Sequence, residues 1–184
     1  RPSTVTLGAN GDSYVEYLLK EWLHDRSRTD KLREFQRAAH AIRERLLVPT
    51  EHPRTLFLCE VDKDGERLVR KMDHLVCFLP AVCALGAHSG ALPSDFMGTA
   101  EAILETCILM YELVPSGLAP EIVKLDKDGR LCAARPNPER RPVSRRCTTR
   151  GMSLQVRLAG GHAQPAAPPG RRKPGSAPPP PPPR

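Results

Sequence analysis

Met72-Asp73-His74-Leu75-Val76-Cys77-Phe78-Leu79-Pro80 sets an acid, an imidazole and a thiol at the mouth of an apolar run. Desolvated Asp and His each need a partner or they lose charge, so this combination is costly in a plain core helix. The run continues to Ala87 and is apolar nearly all round, which predicts a buried helix over 75–87. Pro80 falls near its first turn, where proline is tolerated. A helix apolar on every side needs cover on every side, and few neighbours are available to supply it.

Working outward, residues 54–61 are rich in β-formers, 62–66 are a turn cluster, and 68–72 can return as a partner strand. This reads as a short β-hairpin. Residues 12–25 form an amphipathic helix, with Asp12 and Ser13 as capping types and Tyr14, Leu18, Leu19, Trp22 and Leu23 at helical spacing. A second helix is expected over 29–48, its buried stripe running Leu32, Phe35, Ala39, Ile42, Leu46, Leu47 until Pro49 and Pro53 stop it. Ser94 can cap a fourth helix to about Leu113, with Met97, Ala100, Ile103, Leu104, Cys107 and Tyr111 inward. Residues 117–123 read as a loop ending in a short extended segment. The fold class is all-α: paired helices in an αα-hairpin array with one short hairpin.

After Asp128 the character changes. Pro, Arg, Gly and Ala dominate, periodicity is lost, and residues 178–183 are a polyproline run. The division expected is a folded part over 1–128 and a disordered Arg/Pro-rich tail over 129–184, since such a segment buries too little apolar surface to offset its chain entropy. The tail has no packing logic. Its end is compatible with a ligand for a polyproline-recognising domain, though unspecific. It carries a net +11 of the chain's +7, leaving −4 for residues 1–128. The last aromatic is Tyr111, so the basic segment has no stacking platform, and nucleic acid is not an expected partner. No apolar run reaches membrane-spanning length. The six cysteines include no close CxxC pair, which argues against a zinc site.

Asp12 is either a capping residue or a carboxylate held ionised at a helix N-terminus, where it could act as a base or orient water. Asp73 and His74 are either a cap and a satisfied histidine or part of a pocket wall for sugar hydroxyls. Glu121 is either a solvated loop carboxylate or an inward contact to sugar or a metal's water shell. By themselves these residues support a possible polar pocket and no reaction.

Three segments carry a resemblance. Residues 7–22, LGANGDSYVEYLLKEW, resemble the GARADSYYEYLLKQW segment of the class I processing α-1,2-mannosidases. Residues 71–80, KMDHLVCFLP, resemble their KMDHLVCFLPG segment. Thr106-Cys107, Met110-Tyr111 and residues 116–123, SGLAPEIV, resemble their ETCYxMY…TGLxPEIV stretch. Order and spacing agree, and the MDHLVCF form resembles the endoplasmic-reticulum branch. The resemblance implies an (α/α)7 barrel, of which this chain is a fragment. It also implies a calcium-dependent inverting glycosidase that trims terminal α-1,2-linked mannose from high-mannose N-glycans. Inverting chemistry needs one carboxyl as acid and another to activate water, and Ca2+ suits oxygen ligands. By motif, Asp12 matches a catalytic carboxylate. His74 and Glu121 match substrate-pocket residues, Glu121 near the calcium and its waters, with no direct metal ligand in the chain. Cys77 and Cys107 match a family disulfide, which fits the lumen of the endoplasmic reticulum. The parent protein is expected to be anchored there by a single membrane span.

The match also has gaps. Asn10 stands where the family has Arg, and it cannot replace a guanidinium's bidentate grip. The resemblance runs from about Val5 to about Val123, roughly a quarter of the family's catalytic domain. The segments that resemble FESTIR, with the general acid, and RPE, with the other carboxylate, are not in this sequence. Nor is the threonine that ligates calcium. The chain alone is therefore expected to be inactive, since proton transfer is typically worth about 10²–10⁴-fold. The alternative is a non-catalytic module that binds glycan or a partner.

Overall fold

Val15, Leu18, Leu19 and Trp22 recur at steps of three and four and are all buried, which is what makes α1 (Asp12–His24) a helix with one core face. The computed structural model describes residues 4–9 and 11–133. Asn10 lies outside the described residues, and so does the expected Arg/Pro-rich tail beyond Ala133. Gly11, not Asp12 or Ser13, is the N-cap, and no side chain caps the first turn. The backbone does that work. Gly8 O accepts from both Gly11 N and Asp12 N at 3.0 Å. Asp12 instead sits in the first turn, where its charge meets the positive end of the helix dipole. Tyr14, expected on the buried stripe, is exposed and bonds Glu34 on the next helix.

That helix, α2 (Thr29–Arg45), packs on α1 and buries Phe35, Ala39 and Ile42. It stops short of the expected end at Val48. Leu46 is a buried C-cap whose carbonyl accepts from Cys59 N at 2.8 Å. The chain then extends as β1 (Leu47–Pro49), antiparallel to β2 (Leu56–Leu58), with Val48 opposite Phe57. Tertiary pairing has overridden an apolar stripe that reads as more helix.

The expected hairpin exists, but it is smaller: β3 (Glu60–Val61) pairs with β4 (Leu68–Val69). Its flanks go elsewhere. β5 (Lys71–Asp73) joins β6 (Ile122–Leu125) and β7 (Leu131–Ala133) in a three-stranded antiparallel sheet, order β5-β6-β7. β7 lies past the boundary expected at Asp128. The turn is closed by Asp126 N on Arg130 O, and it is tied to the β1–β2 loop by Glu51 N on Gly129 O at 2.8 Å and by Arg130 on Glu51 at 2.9 Å. Among the described residues the chain is thus helical with three small antiparallel sheets rather than one hairpin.

Residues 74–88 are not one helix. A 3-10 helix, His74–Phe78, runs into α3 (Leu79–His88), with Pro80 in its first turn where no N–H is needed. Nor is this segment buried all round: Leu75 and Leu85 are exposed while Val76, Leu79, Val82 and Cys83 are buried. α4 (Phe96–Glu112) packs on α3 and starts after Asp95 rather than Ser94. Its core face is Phe96, Thr99, Ala100, Ile103, Thr106, Cys107 and Met110. Met97, Leu104 and Tyr111, expected inward, are exposed. The helix carries two apolar stripes, and the neighbours decide which one is core. Phe35, Phe57, Met72, Phe96, Ile103 and Val123 belong to one buried core to which α1–α4 all contribute, while β4 stays exposed.

Candidate functional site

The β5–β6 pairing builds the site. Asp73 stands opposite Ile122, and His74 N donates to Glu121 O at 2.8 Å. Residues far apart in sequence are thereby carried to one sheet end. There a cleft of about 390 Å³ opens, lined by Ala9, Asp73, His74, Leu75, Ala119 and Glu121. Two carboxylates and an imidazole edged by small apolar groups make a polar hollow with hydrogen-bonding capacity on several sides.

His74 is held from two directions. Its backbone is fixed by Glu121, and its Nε2 lies 2.8 Å from the Tyr111 hydroxyl. The two rings meet edge to face, centroids 5.4 Å apart at 76°. Cys77 and Cys107, the pair implied by the resemblance, are bonded, with Cα atoms 5.9 Å apart. Position i+3 on a 3-10 helix and i+4 on an α-helix both return to the same face. The disulfide and the His74–Tyr111 contact therefore bind the same two elements, one turn apart. Tyr111 was not legible as a site residue, because its spacing fits the stripe of α4 equally well.

A charged chain backs the cleft. Glu60 is only 7% exposed. It accepts from Thr6 Oγ1 at 2.8 Å and from Lys71 Nζ at 3.1 Å, and Lys71 Nζ also lies 3.6 Å from Asp73 Oδ1. Burial pulls the Lys71 ammonium down, but the Glu60 hydrogen bond and charge, with Asp73, outweigh it and hold the group above its ordinary value. Thr6 Oγ1 also accepts from Gly8 N at 2.9 Å. Gly8 packs so closely on the Asp73 carboxylate that a Cβ there would overlap Asp73 Oδ2, and a Cβ at Gly11 would overlap the Thr6 carbonyl. Both glycines are thus required by close approach, and the turn into α1 is locked to the cleft. Glu60 has a weak signal in the sequence: it is the only charge in the apolar stretch 55–61.

Asp12 does not line the cleft. Its Oδ1 accepts from Ser13 N at 2.9 Å and from Ser13 Oγ at 3.3 Å. It is joined to the cleft through Gly8, whose carbonyl accepts from its backbone N–H and whose missing Cβ leaves the space that Asp73 fills. The structure therefore brings together His74 and Glu121, adds Asp73 and Tyr111, and leaves Asp12 beside them at the start of α1.

Among the described residues no three His, Cys, Asp or Glu side chains converge on a point that could hold a metal. Ca2+ takes six to eight oxygens. Asp73 and Glu121 alone do not make such a set, so the described residues do not fit a calcium site of their own. Among the described residues, too, no helix is long and apolar enough to cross a membrane. A larger groove of about 560 Å³ lies along α1 and α2, but it contains none of the expected site residues.

The paired helices and small antiparallel sheets thus present one cleft edged by two carboxylates and an imidazole. The chain belongs to glycosyl hydrolase family 47, whose profile matches residues 1–154. That match runs past Val123, beyond the stretch legible as a resemblance. The chain is 44% identical over 122 residues to the endoplasmic reticulum mannosyl-oligosaccharide 1,2-alpha-mannosidase of Rattus norvegicus, covering 66% of this chain and 18% of that protein. It is 40% identical over 139 residues to the protein of the same name in Homo sapiens, covering 75% of this chain and 18% of that one. The alpha-1,2-mannosidase from Trichoderma reesei has the same fold over 70% of this chain and 27% of its own, at a TM-score of 0.60 and 21% identity. The chain thus spans about a fifth of the length of these curated relatives.

Proposed function

We propose that this chain forms one wall of the substrate pocket of an α-1,2-mannosidase acting on high-mannose N-glycans in the endoplasmic reticulum, as a fragment of an (α/α)7 barrel. The observation that carries this reading is the junction of Asp73-His74 with Glu121 across β5–β6, at the edge of a cleft. Carboxylates and imidazole accept and donate hydrogen bonds to vicinal hydroxyls. In this reading His74 and Glu121 contact the sugar, and Asp12 belongs to the catalytic carboxylates of the whole domain. Calcium is held by parts of the parent protein that this chain does not supply, with Glu121 touching its water shell. In this reading the chain alone binds mannose weakly and does not cleave it, because the segments matching the family's general acid and its other catalytic carboxylate are not in this sequence.

The test is a titration of the full chain with α-1,2-linked mannobiose, read by chemical shifts, beside a mannose-release assay with added calcium. Shifts confined to His74, Glu121 and their neighbours, without release of mannose, are expected. Release that is lost in Asp12→Asn would overturn the inactivity, and a titration without any shift would overturn the pocket.

A further inference from the structure

We infer that Tyr111 is a positioning residue that sets which ring nitrogen of His74 faces a ligand as a donor. The inference deepens the sugar-pocket reading and rests on it for the ligand alone. The Tyr111 hydroxyl lies 2.8 Å from His74 Nε2. A phenol is the better acid of the two and a neutral imidazole nitrogen the better base, so the bond is most favourable with the hydroxyl donating to Nε2. His74 then carries its proton on Nδ1. Nδ1–H is the one ring donor left, and it belongs to a side chain that lines the cleft.

Three restraints make this more than a surface contact. The His74 backbone is tied to Glu121 O, so the ring starts from a fixed point. The edge-to-face packing at 76° limits rotation of either ring. The Cys77–Cys107 bond, three residues on from His74 and four before Tyr111, keeps the 3-10 helix and α4 from separating. A histidine whose tautomer is fixed by the partner of its other nitrogen is a preorganised donor. A hydroxyl oxygen of a glycan is the acceptor it suits.

The experiment uses the full chain labelled with ¹⁵N histidine, held alkaline enough for neutral imidazole, and long-range ¹H–¹⁵N correlation. The wild type is expected to show His74 protonated on Nδ1 with Nε2 bare. Tyr111→Phe keeps the ring and removes only the hydroxyl, and it should average the two tautomers. In the same samples α-1,2-linked mannobiose should bind about fivefold more weakly to Tyr111→Phe, the effect of one hydrogen bond. A wild-type His74 protonated on Nε2, or a tautomer unchanged in Tyr111→Phe, overturns the proposal. If the variant does not fold, the wild-type spectrum alone decides. Failure of mannobiose to bind the wild type overturns the sugar reading while leaving the tautomer result to stand on its own.

Discussion

Reducing the Cys77–Cys107 bond is the most informative perturbation of this molecule. The bond closes a loop of 30 residues that contains all of α3 and the turn before α4. In the chain-entropy model a loop of that length stabilises the fold by about 3.6 kcal/mol. Against the roughly 5–15 kcal/mol that holds a domain together, this is a large share. For an m-value of about 1.5 kcal/mol/M in urea, the midpoint should fall by about 2.4 M on reduction, with little change in slope. The assay is urea unfolding of oxidised and reduced wild type, checked with Cys77→Ala/Cys107→Ala. Burial pushes Cys59 and Cys83 up to about 11, which suppresses exchange in the folded chain, and unfolding at about pH 5 keeps the exposed thiols protonated as well. Coincident unfolding curves for the oxidised and reduced chains would refute the reasoning, because the loop would then be closed as tightly by packing alone.

Gly11→Ala should cost about 3 kcal/mol and Gly8→Ala about 1 in thermal unfolding, because Gly11 faces a backbone carbonyl while Gly8 faces a carboxylate that can swing aside. The reverse order would show the Asp73 side chain to be the more rigid of the two neighbours. Lys71→Met should cost about 2 kcal/mol, less than a fully buried pair because Lys71 is partly exposed, by leaving Glu60 without its cation. Glu60→Gln added to it should restore part of the loss in a double-mutant cycle. Both buried thiols have folded values near 11 against 9.0 for the free group, so the unfolded chain loses its protons first as pH rises. Stability from this source is whole below pH 9 and is lost towards pH 11, by about 2–3 kcal/mol per thiol. A Cys59→Ala/Cys83→Ala chain should show a correspondingly flatter alkaline limb.

The helices were largely legible in the sequence, and their reasons are local. Leu18-Leu19-Trp22 and Phe35-Ala39-Ile42 have one apolar face each, and a period of 3.6 identifies it. The strands were legible only where turn chemistry marked them, as at residues 62–66. β1 was hidden because Leu46 and Leu47 continue the stripe of α2, and only the partner strand at Leu56–Leu58 tells extended chain from helix. The core face of α4 was ambiguous for a similar reason: Met97, Leu104 and Tyr111 are spaced as well as Ala100, Ile103 and Cys107. Of the cleft, His74 and Glu121 were legible through resemblance. Tyr111 and Glu60 were not, since their roles are made by contacts across the fold rather than by neighbours in the chain.

β6 also sets the order of events as the chain is made. Its partner β5 ends at Asp73, and the whole α3–α4 pair must be synthesised before Ile122 arrives to register with it. The α1–α2 and α3–α4 hairpins have close-lying contacts and form early, whereas a pairing across so long a loop pays its closure entropy first and forms late. The cleft is therefore among the later parts of the unit to assemble. Until it does, Met72 and Val123, both fully buried at the end, stand open to solvent. A chain whose β6 has been made but has not yet paired with β5 is at its most adhesive, and folding helpers have most to offer then.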